Sequence, residues 1–433
     1  MIEPVGHSYL KSPAAPLPVA WKPYFKRGVT NPNATSGAAE APWTLPNLCK
    51  AYDWPTTAPG GGVIAIVELG GGWVASDMNI FFASINQPTP TITDVSVDGS
   101  VNNPNQHLGD PHDPDIEVTL DIQVAGAAYY IATGTAATIR VYWAAGNNPS
   151  GIAEAVKRAT ADGCDVCSIS WGSDEANWQA NNIFVGIDII QDMENAAQAA
   201  TAAGMIVFAA TGDNDSSDGG RTPANVDMPS SCPHVVACGG TTKTANTETV
   251  WNWEPGNTKG DGTGGGYSTI FPPQAWQIGA SGPGRMIPDV SANADPHTGY
   301  WIFVHNQSTY EGGTSAVAPF YAGLFASFGR KLGWITPMLY KKQTCFNDIT
   351  QGDNGDYRAS IGPDPCTGIG TPIGTRLEAA FANAAPQILA TATPIPTIAH
   401  ATGYTGSISA RFEKGMLVAL RVISEDRTTH DFS

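Results

Sequence analysis

Four short runs of β-branched and apolar residues constrain the fold of this chain more than any other feature: VIAIVEL (63–69), IRVYWA (139–144), VCSISW (166–171) and MIVFAAT (205–211). They lack a strict apolar-polar alternation, so each suits a strand covered on both faces. Segments with helical spacing fall between them: DIEVTLDIQVAGAAYY (115–130), GIAEAVKRATADG (151–163) and GIDIIQDMENAAQAATAAG (186–204). Strands that alternate with helices predict an α/β fold, a doubly wound, mostly parallel sheet with helices on both faces. In such sheets the reacting groups collect at the C-terminal ends of the strands.

The rest of the chain is organised around that stretch. Residues 1–45 are rich in Pro, Ala, Asn and Thr and read as an N-terminal arm lying on the domain. Residues 46–385 are expected to form the main domain, with the turn-rich text of 211–300 as loops over the sheet. Residues 386–433 begin with a Pro/Thr/Ala linker and continue into a predicted hairpin around Lys414-Gly415. The N-terminus is broken by prolines and charges and lacks the apolar run of a signal peptide, and no stretch of about 20 apolar residues occurs anywhere. A soluble protein with no membrane contact is expected.

The 22 Lys+Arg against 39 Asp+Glu give a net charge of −17, with no basic patch to suggest nucleic acid. Few basic groups limit positive self-repulsion once carboxylates protonate, so the composition suits an acidic medium, although an ordinary acidic protein would look the same. The seven cysteines cannot all pair within one chain, so at least one is free. Cys164 and Cys167 sit in strand-like text and read as structural thiols rather than a metal or redox pair.

The chemistry centres on EGGTSAVAP (311–319). A Gly-Thr-Ser turn closed by a Pro is how subtilisin-type folds present a nucleophilic serine, here Ser315, but such a serine normally needs a base. Of the eight histidines (His7, His107, His112, His234, His297, His305, His400, His430) none stands in an HGT helix start. His107 and His112 lie in a loop that reads as solvent-facing. Glu117 and Asp121, four apart in a helical segment, share one face. A carboxylate can deprotonate a serine where the pH lies near its own pKa, which moves the chemistry into acid. Spacing alone also allows an exposed acidic helix turn. Asp213 follows the strand of 205–211 and, protonated, could donate a hydrogen bond to an oxyanion beside the Ser315 N–H, or be a simple turn residue.

Taken together, AIVELGGGW, EVTLDIQVAGA, SISWG, ATGD, GGGYSTIFPPQAWQ, PDVSANADPHTGY, GGTSAVAP and FNDITQG…DPCTGIGTPIG resemble the sedolisins, or serine-carboxyl peptidases, from about residue 46 to 385. The resemblance implies the subtilisin-like form of the fold and an acidic endopeptidase working through an acyl-enzyme at roughly pH 3 to 5. It implies Ser315 as nucleophile, Glu117 as general base and acid, Asp121 orienting Glu117, Asp213 as oxyanion partner, and Glu68 and Trp171 in a network behind Asp121. Asp227 in NVDMP matches a substrate-pocket position that favours basic residues N-terminal to the cut bond. One structural Ca²⁺ is implied on the carboxylates of Asp348 and Asp364 and the carbonyls of Ile349, Ser360 and Gly362, in turns whose acidic and carbonyl-rich text suits a hard cation. The family shows Gly-Trp-Asp where this chain has Gly362-Pro363-Asp364, and a Gly where Ser360 stands. Partners are then protein or peptide substrates of a monomer, and the location extracellular. Two rivals remain open: a conventional Ser-His-Asp hydrolase, and a catalytically silent binding protein on the same fold.

Overall fold

The computed structural model describes residues 21–27, 42–110, 112–185 and 188–381, and three strands beyond them, Gly406–Glu413, Met416–Ser424 and Thr429–Phe432. The chain divides into two units, Met1–Ile388 and Leu389–Ser433. In the second, the three strands form an antiparallel sheet whose first two pair from Gly406↔Ser424 to Glu413↔Met416. Lys414, Gly415 and the 386–403 linker lie outside the described residues, as do His7 and His400.

The first unit is built on an eight-stranded sheet of β1 (Val63–Glu68), β2 (Thr91–Ser96), β3 (Thr138–Trp143), β4 (Val166–Ile169), β5 (Ile206–Ala210), β6 (Val236–Lys243), β7 (Glu248–Val250) and β8 (Val290–Asn293). The order is β7-β6-β5-β4-β1-β3-β2 with β8 pairing β6, and every pair is parallel except β6 with β7. Strand alternation assigns the two faces. Ile64 and Ile66 of β1 enter one apolar cluster, while Ala65 and Val67 enter the other. Helices α1 (Ala75–Ser84), α2 (Pro114–Thr133) and α5 (Val317–Ser327) feed the first cluster; α3 (Gly151–Ala161) and α4 (Ile189–Ala202) feed the second.

Helix α2 carries two of the residues singled out above. Its start is fixed by the Asp113 side chain, which accepts from the Asp115 N–H at 3.1 Å, and by Pro114 in the first helical position. It ends at Gly134, whose φ of 69° is left-handed. Against it packs α5, brought close by Gly323: a Cβ there would lie 2.6 Å from the Ala125 carbonyl. The helix following Ser315 is thus pressed onto the helix carrying Glu117.

Two expectations need correction. The stretch 211–300 is not only loops, because it contributes β6, β7 and β8 to the central sheet. Their text was unreadable as strand because β6 (VACGGTTK) uses Gly239 and Gly240, where Pro288 and Ala294 approach to 2.6 Å of any Cβ. The run 166–171 is not one strand either: β4 stops at Ile169, and Trp171–Asp174 turns away to form a separate small sheet. Ser170, at the break, becomes a site residue.

Candidate active site

The C-terminal ends of the parallel strands deliver the chemistry. Glu68 ends β1, Ser170 follows β4, Asp213 follows β5, and Ser315 sits in a short 3-10 turn leading into α5. Helix α2 brings Glu117 and Asp121 beneath the same point, and all of these side chains are buried.

Behind Ser315 lies a row of carboxyl groups to which no basic residue among the described ones is bonded. Asp121 accepts from the Ser170 hydroxyl at 2.9 and 2.8 Å, and Glu68 accepts from the Trp171 indole N–H at 2.8 Å. The Ser170 hydroxyl also reaches the Ser315 carbonyl at 3.3 Å, and the Ser315 hydroxyl reaches the Ser170 carbonyl at 3.4 Å. Both Glu117 oxygens are buried without a full hydrogen bond, and so is one oxygen of Glu68. Burial, then the charges of Asp121 and Glu68, push Glu117 well above the usual carboxylate range, while the nearby Ser315 hydroxyl draws it partly back. Burial also raises Asp121 and Glu68, the latter with help from Asp121. Shifts in this direction favour the protonated forms, and groups this close titrate together.

On the other side of Ser315, Asp213 is held by one oxygen. Its Oδ1 accepts from the Thr314 N–H and hydroxyl, both at 2.8 Å. Its Oδ2 is buried with no hydrogen-bond partner. Burial raises the pKa to about 7, with Lys26 the foremost of the opposing influences. The Ser315 N–H donates to the Tyr24 carbonyl at 2.9 Å. Gly313 has φ 100°, and a Cβ there would lie 2.5 Å from Asp213 Oδ2 and closer still to that carbonyl. An oxygen in this hollow therefore meets a backbone donor and, in acid, a carboxyl donor.

Asp227 is buried at the wall beside Gly172, and its carboxyl accepts from the Ser230 hydroxyl at 2.9 Å and from the Tyr24 phenol. The described histidines of the first unit stand elsewhere: His234 on Glu194, His297 on Asp295, His305 on Asp113 and Asp115, with His107 and His112 exposed. All seven cysteines are buried free thiols.

Asp348 and Asp364 meet at one turn. Asp348 accepts from the Gly362 N–H at 2.9 Å, and Asp364 from the N–H groups of Ser360, Cys366 and Thr367 at 3.0, 2.9 and 2.9 Å. Burial raises the Asp364 pKa against those bonds. Both carboxylates thus lie on neighbouring turns, and oxygen donors of this kind are the chemistry a hard cation takes. Three residues that the sequence reading left unassigned belong to the Ser315 site: Ser170, Thr314 and Tyr24. Thr314 was signalled by its place beside Ser315; Tyr24 had no local signal.

These features define a subtilisin-type α/β protein whose serine faces carboxyl groups instead of a histidine. The sequence profile of the subtilase family matches residues 122–356, more than half of the chain, and the chain belongs to that family. It is 41% identical to kumamolisin of Bacillus sp. (strain MN-32) over 82% of this chain and 66% of that protein. With sedolisin of Pseudomonas sp. (strain 101) it shares 29% identity over 81% of this chain and 63% of that one. The chain thus spans just under two thirds of the curated relatives it matches. A structure of Pseudomonas sedolisin, described as a serine-carboxyl proteinase complexed with two molecules of pseudo-iodotyrostatin, superposes with a TM-score of 0.69 at 24% identity. That superposition covers 78% of this chain and 98% of the other, and it establishes the fold.

Proposed function

We propose that this protein is a serine-carboxyl peptidase that hydrolyses peptide bonds of unfolded proteins in acid. The observation that carries the reading is the enclosure of Ser315 between two kinds of buried carboxyl: the unpaired Glu117 on one side and the free Oδ2 of Asp213 on the other. Glu117 takes the proton of Ser315 as the hydroxyl oxygen adds to the carbonyl carbon, and returns it to the departing amine. Asp121, held by Ser170, keeps Glu117 in place and tunes its proton affinity. Glu68, bonded to Trp171, closes the row behind it. The Ser315 N–H and protonated Asp213 hold the oxyanion, and water then releases the acyl group by the same path in reverse.

Cleavage of a denatured protein across pH tests this. Activity is expected in acid, falling toward neutrality, and absent in Ser315→Ala and Glu117→Gln. Undiminished activity in either variant overturns the assignment. Retained activity at pH 8 favours a histidine-driven hydrolase, and no cleavage at any pH favours a silent binding protein.

One Ca²⁺ on Asp348, Asp364 and the carbonyls of Ile349, Ser360 and Gly362 is part of the proposal. The ion would tie two turns together rather than take part in the reaction, so chelation is expected to lower Tm, and an unchanged Tm removes it. Protein or peptide substrates, a monomer and an extracellular location complete the reading. Among the described residues no helix is long and apolar enough to cross a membrane.

A further inference from the structure

The first turn of α2 and the tip of a hairpin bring together three ligand-type groups that the Ser315 chemistry does not use. His305 and Asn306 form the two-residue loop between the antiparallel strands Tyr300–Val304 and Gln307–Gly312, closed by the Val304↔Gln307 pair. Both loop residues have left-handed φ, 53° and 58°, which Asn or Gly adopts more readily than His. The hairpin is fixed to α2 by Gln123, whose amide donates to the Phe303 carbonyl at 2.8 Å and accepts from the Phe303 N–H at 3.0 Å. His305 is thereby carried to the helix start, with Nε2 3.1 Å from Asp115 Oδ2 and 3.5 Å from Asp113 Oδ2.

Two features set this cluster apart from an ordinary ion pair. Asp113, Asp115 and His305 each offer a ligand atom, and these atoms all lie within 4.8 Å of one another, an arrangement found nowhere else among the described residues. Both carboxylates are also buried, yet Asp113 Oδ2, which faces the ring nitrogen, and Asp115 Oδ1 accept no hydrogen bond. An ion about 2.0–2.2 Å from each donor would set neighbouring donors roughly 3.0–3.5 Å apart. That is the spacing of Nε2 from both carboxylates.

We propose that Asp113, Asp115 and His305 bind a divalent ion of the Zn²⁺ class in a structural site. One imidazole nitrogen with two carboxylates and no thiol selects a borderline metal over Mg²⁺ or Cu⁺. Asp115 Oδ2 also accepts from the Asn105 N–H at 2.6 Å, the kind of outer bond that orients a ligating carboxylate. Water takes the fourth position, on the side where the ring is partly exposed. The ion ties the first turn of α2, just ahead of Glu117, to the hairpin whose second strand ends at Gly312, just ahead of Ser315. It takes no part in hydrolysis, and the site does not depend on the peptidase reading.

The test is calorimetric titration of the purified full chain with Zn²⁺ at pH 7, with Co²⁺ as a spectroscopic probe of imidazole ligation. Excess Ca²⁺ keeps the Asp348–Asp364 turn out of the readout. Wild type should take up one tightly held ion per chain and gain in Tm. His305→Asn, which suits the left-handed loop position, should fold and lose at least ~100-fold in affinity. Asp113→Asn, which still caps α2, should lose at least ~10-fold. Neither variant should show the wild-type rise in Tm, and His107→Ala, on the exposed loop, should bind as wild type does. No uptake by wild type overturns the proposal, as does uptake unchanged in His305→Asn or in Asp113→Asn. Loss of the ion in His107→Ala moves it to the exposed loop and overturns the site as well. Zn²⁺ uptake without cleavage of a denatured protein leaves the site standing and counts against the peptidase reading alone.

Discussion

Helix α2 holds two acidic pairs close together and treats them in opposite ways. At its start, Asp113 caps the helix and Asp115 accepts from the Asn105 N–H at 2.6 Å, while the His305 ring nitrogen stands 3.5 and 3.1 Å from their carboxylates. The helix N-terminus itself favours negative charge there. One turn further on, Glu117 and Asp121 have neither helix-end donors nor a basic partner, and they face a third acid, Glu68. The first pair is a compensated structural cluster. The second is left uncompensated, which structure alone gives no reason to keep and a proton-transferring serine site requires.

The largest expected contrast comes from substituting one acid of each pair. Glu117→Gln should lower peptide hydrolysis at pH 4 by about 10³-fold or more, whereas Asp115→Asn, which touches no reacting atom, should leave kcat/KM within about tenfold. Similar losses in both would erase the distinction.

Asp213 comes next. Asp213→Ala should cost about 10²- to 10³-fold in kcat, the scale of a lost oxyanion donor. In wild type the activity should fall as pH rises through about 7, where Asp213 loses its proton. Stability follows the same direction. A carboxyl whose pKa rises from 3.8 unfolded to about 7 folded binds its proton more tightly when folded, so its contribution is full below pH 3.8 and is lost between about 4 and 7. Asp215, also raised to about 7, and Asp227 and Glu311, raised to about 8, act the same way. Denaturation midpoints at pH 4 and pH 8 check this; greater stability at pH 8 contradicts it.

A smaller and more diagnostic effect is expected from Asp121→Asn. The side chain keeps an acceptor for Ser170 but no longer raises Glu117 by its charge, so the acid limb of the pH profile should move to lower pH, with about a tenfold loss of rate. A reduced rate with an unmoved limb would make Asp121 a packing residue. The smallest effect on activity belongs to His305→Ala. It should cost roughly 1–3 kcal/mol in denaturant unfolding by leaving Asp113 and Asp115 without their ring partner, with little change in kcat/KM.

Legibility in the sequence followed the range of the interaction. β1, β3 and β5 were readable because strands buried on both faces carry continuous apolar runs, and α2 because its spacing and its capping Asp113-Pro114 are local. The strand β6 was not, since its glycines serve contacts with Pro288 and Ala294 some 50 residues away. Ser315, Glu117, Asp121 and Asp213 were singled out from motif and spacing. Their burial and the unbonded oxygens of Glu117 and Asp213, which raise proton affinity, could not be read.

The sequence by itself determined the alternation of strand and helix, the shared face of Glu117 and Asp121, and the turn that carries Ser315, because each depends on residues a few positions apart. Tertiary structure alone decided that the acids go without cations and that Asp213 has a free oxygen aimed at the hollow by Gly313. It also decided that Tyr24, from the arm, lays its carbonyl in that hollow. Those facts depend on contacts between residues far apart in the sequence, and the parallel sheet brings them together by gathering its strand ends at one edge.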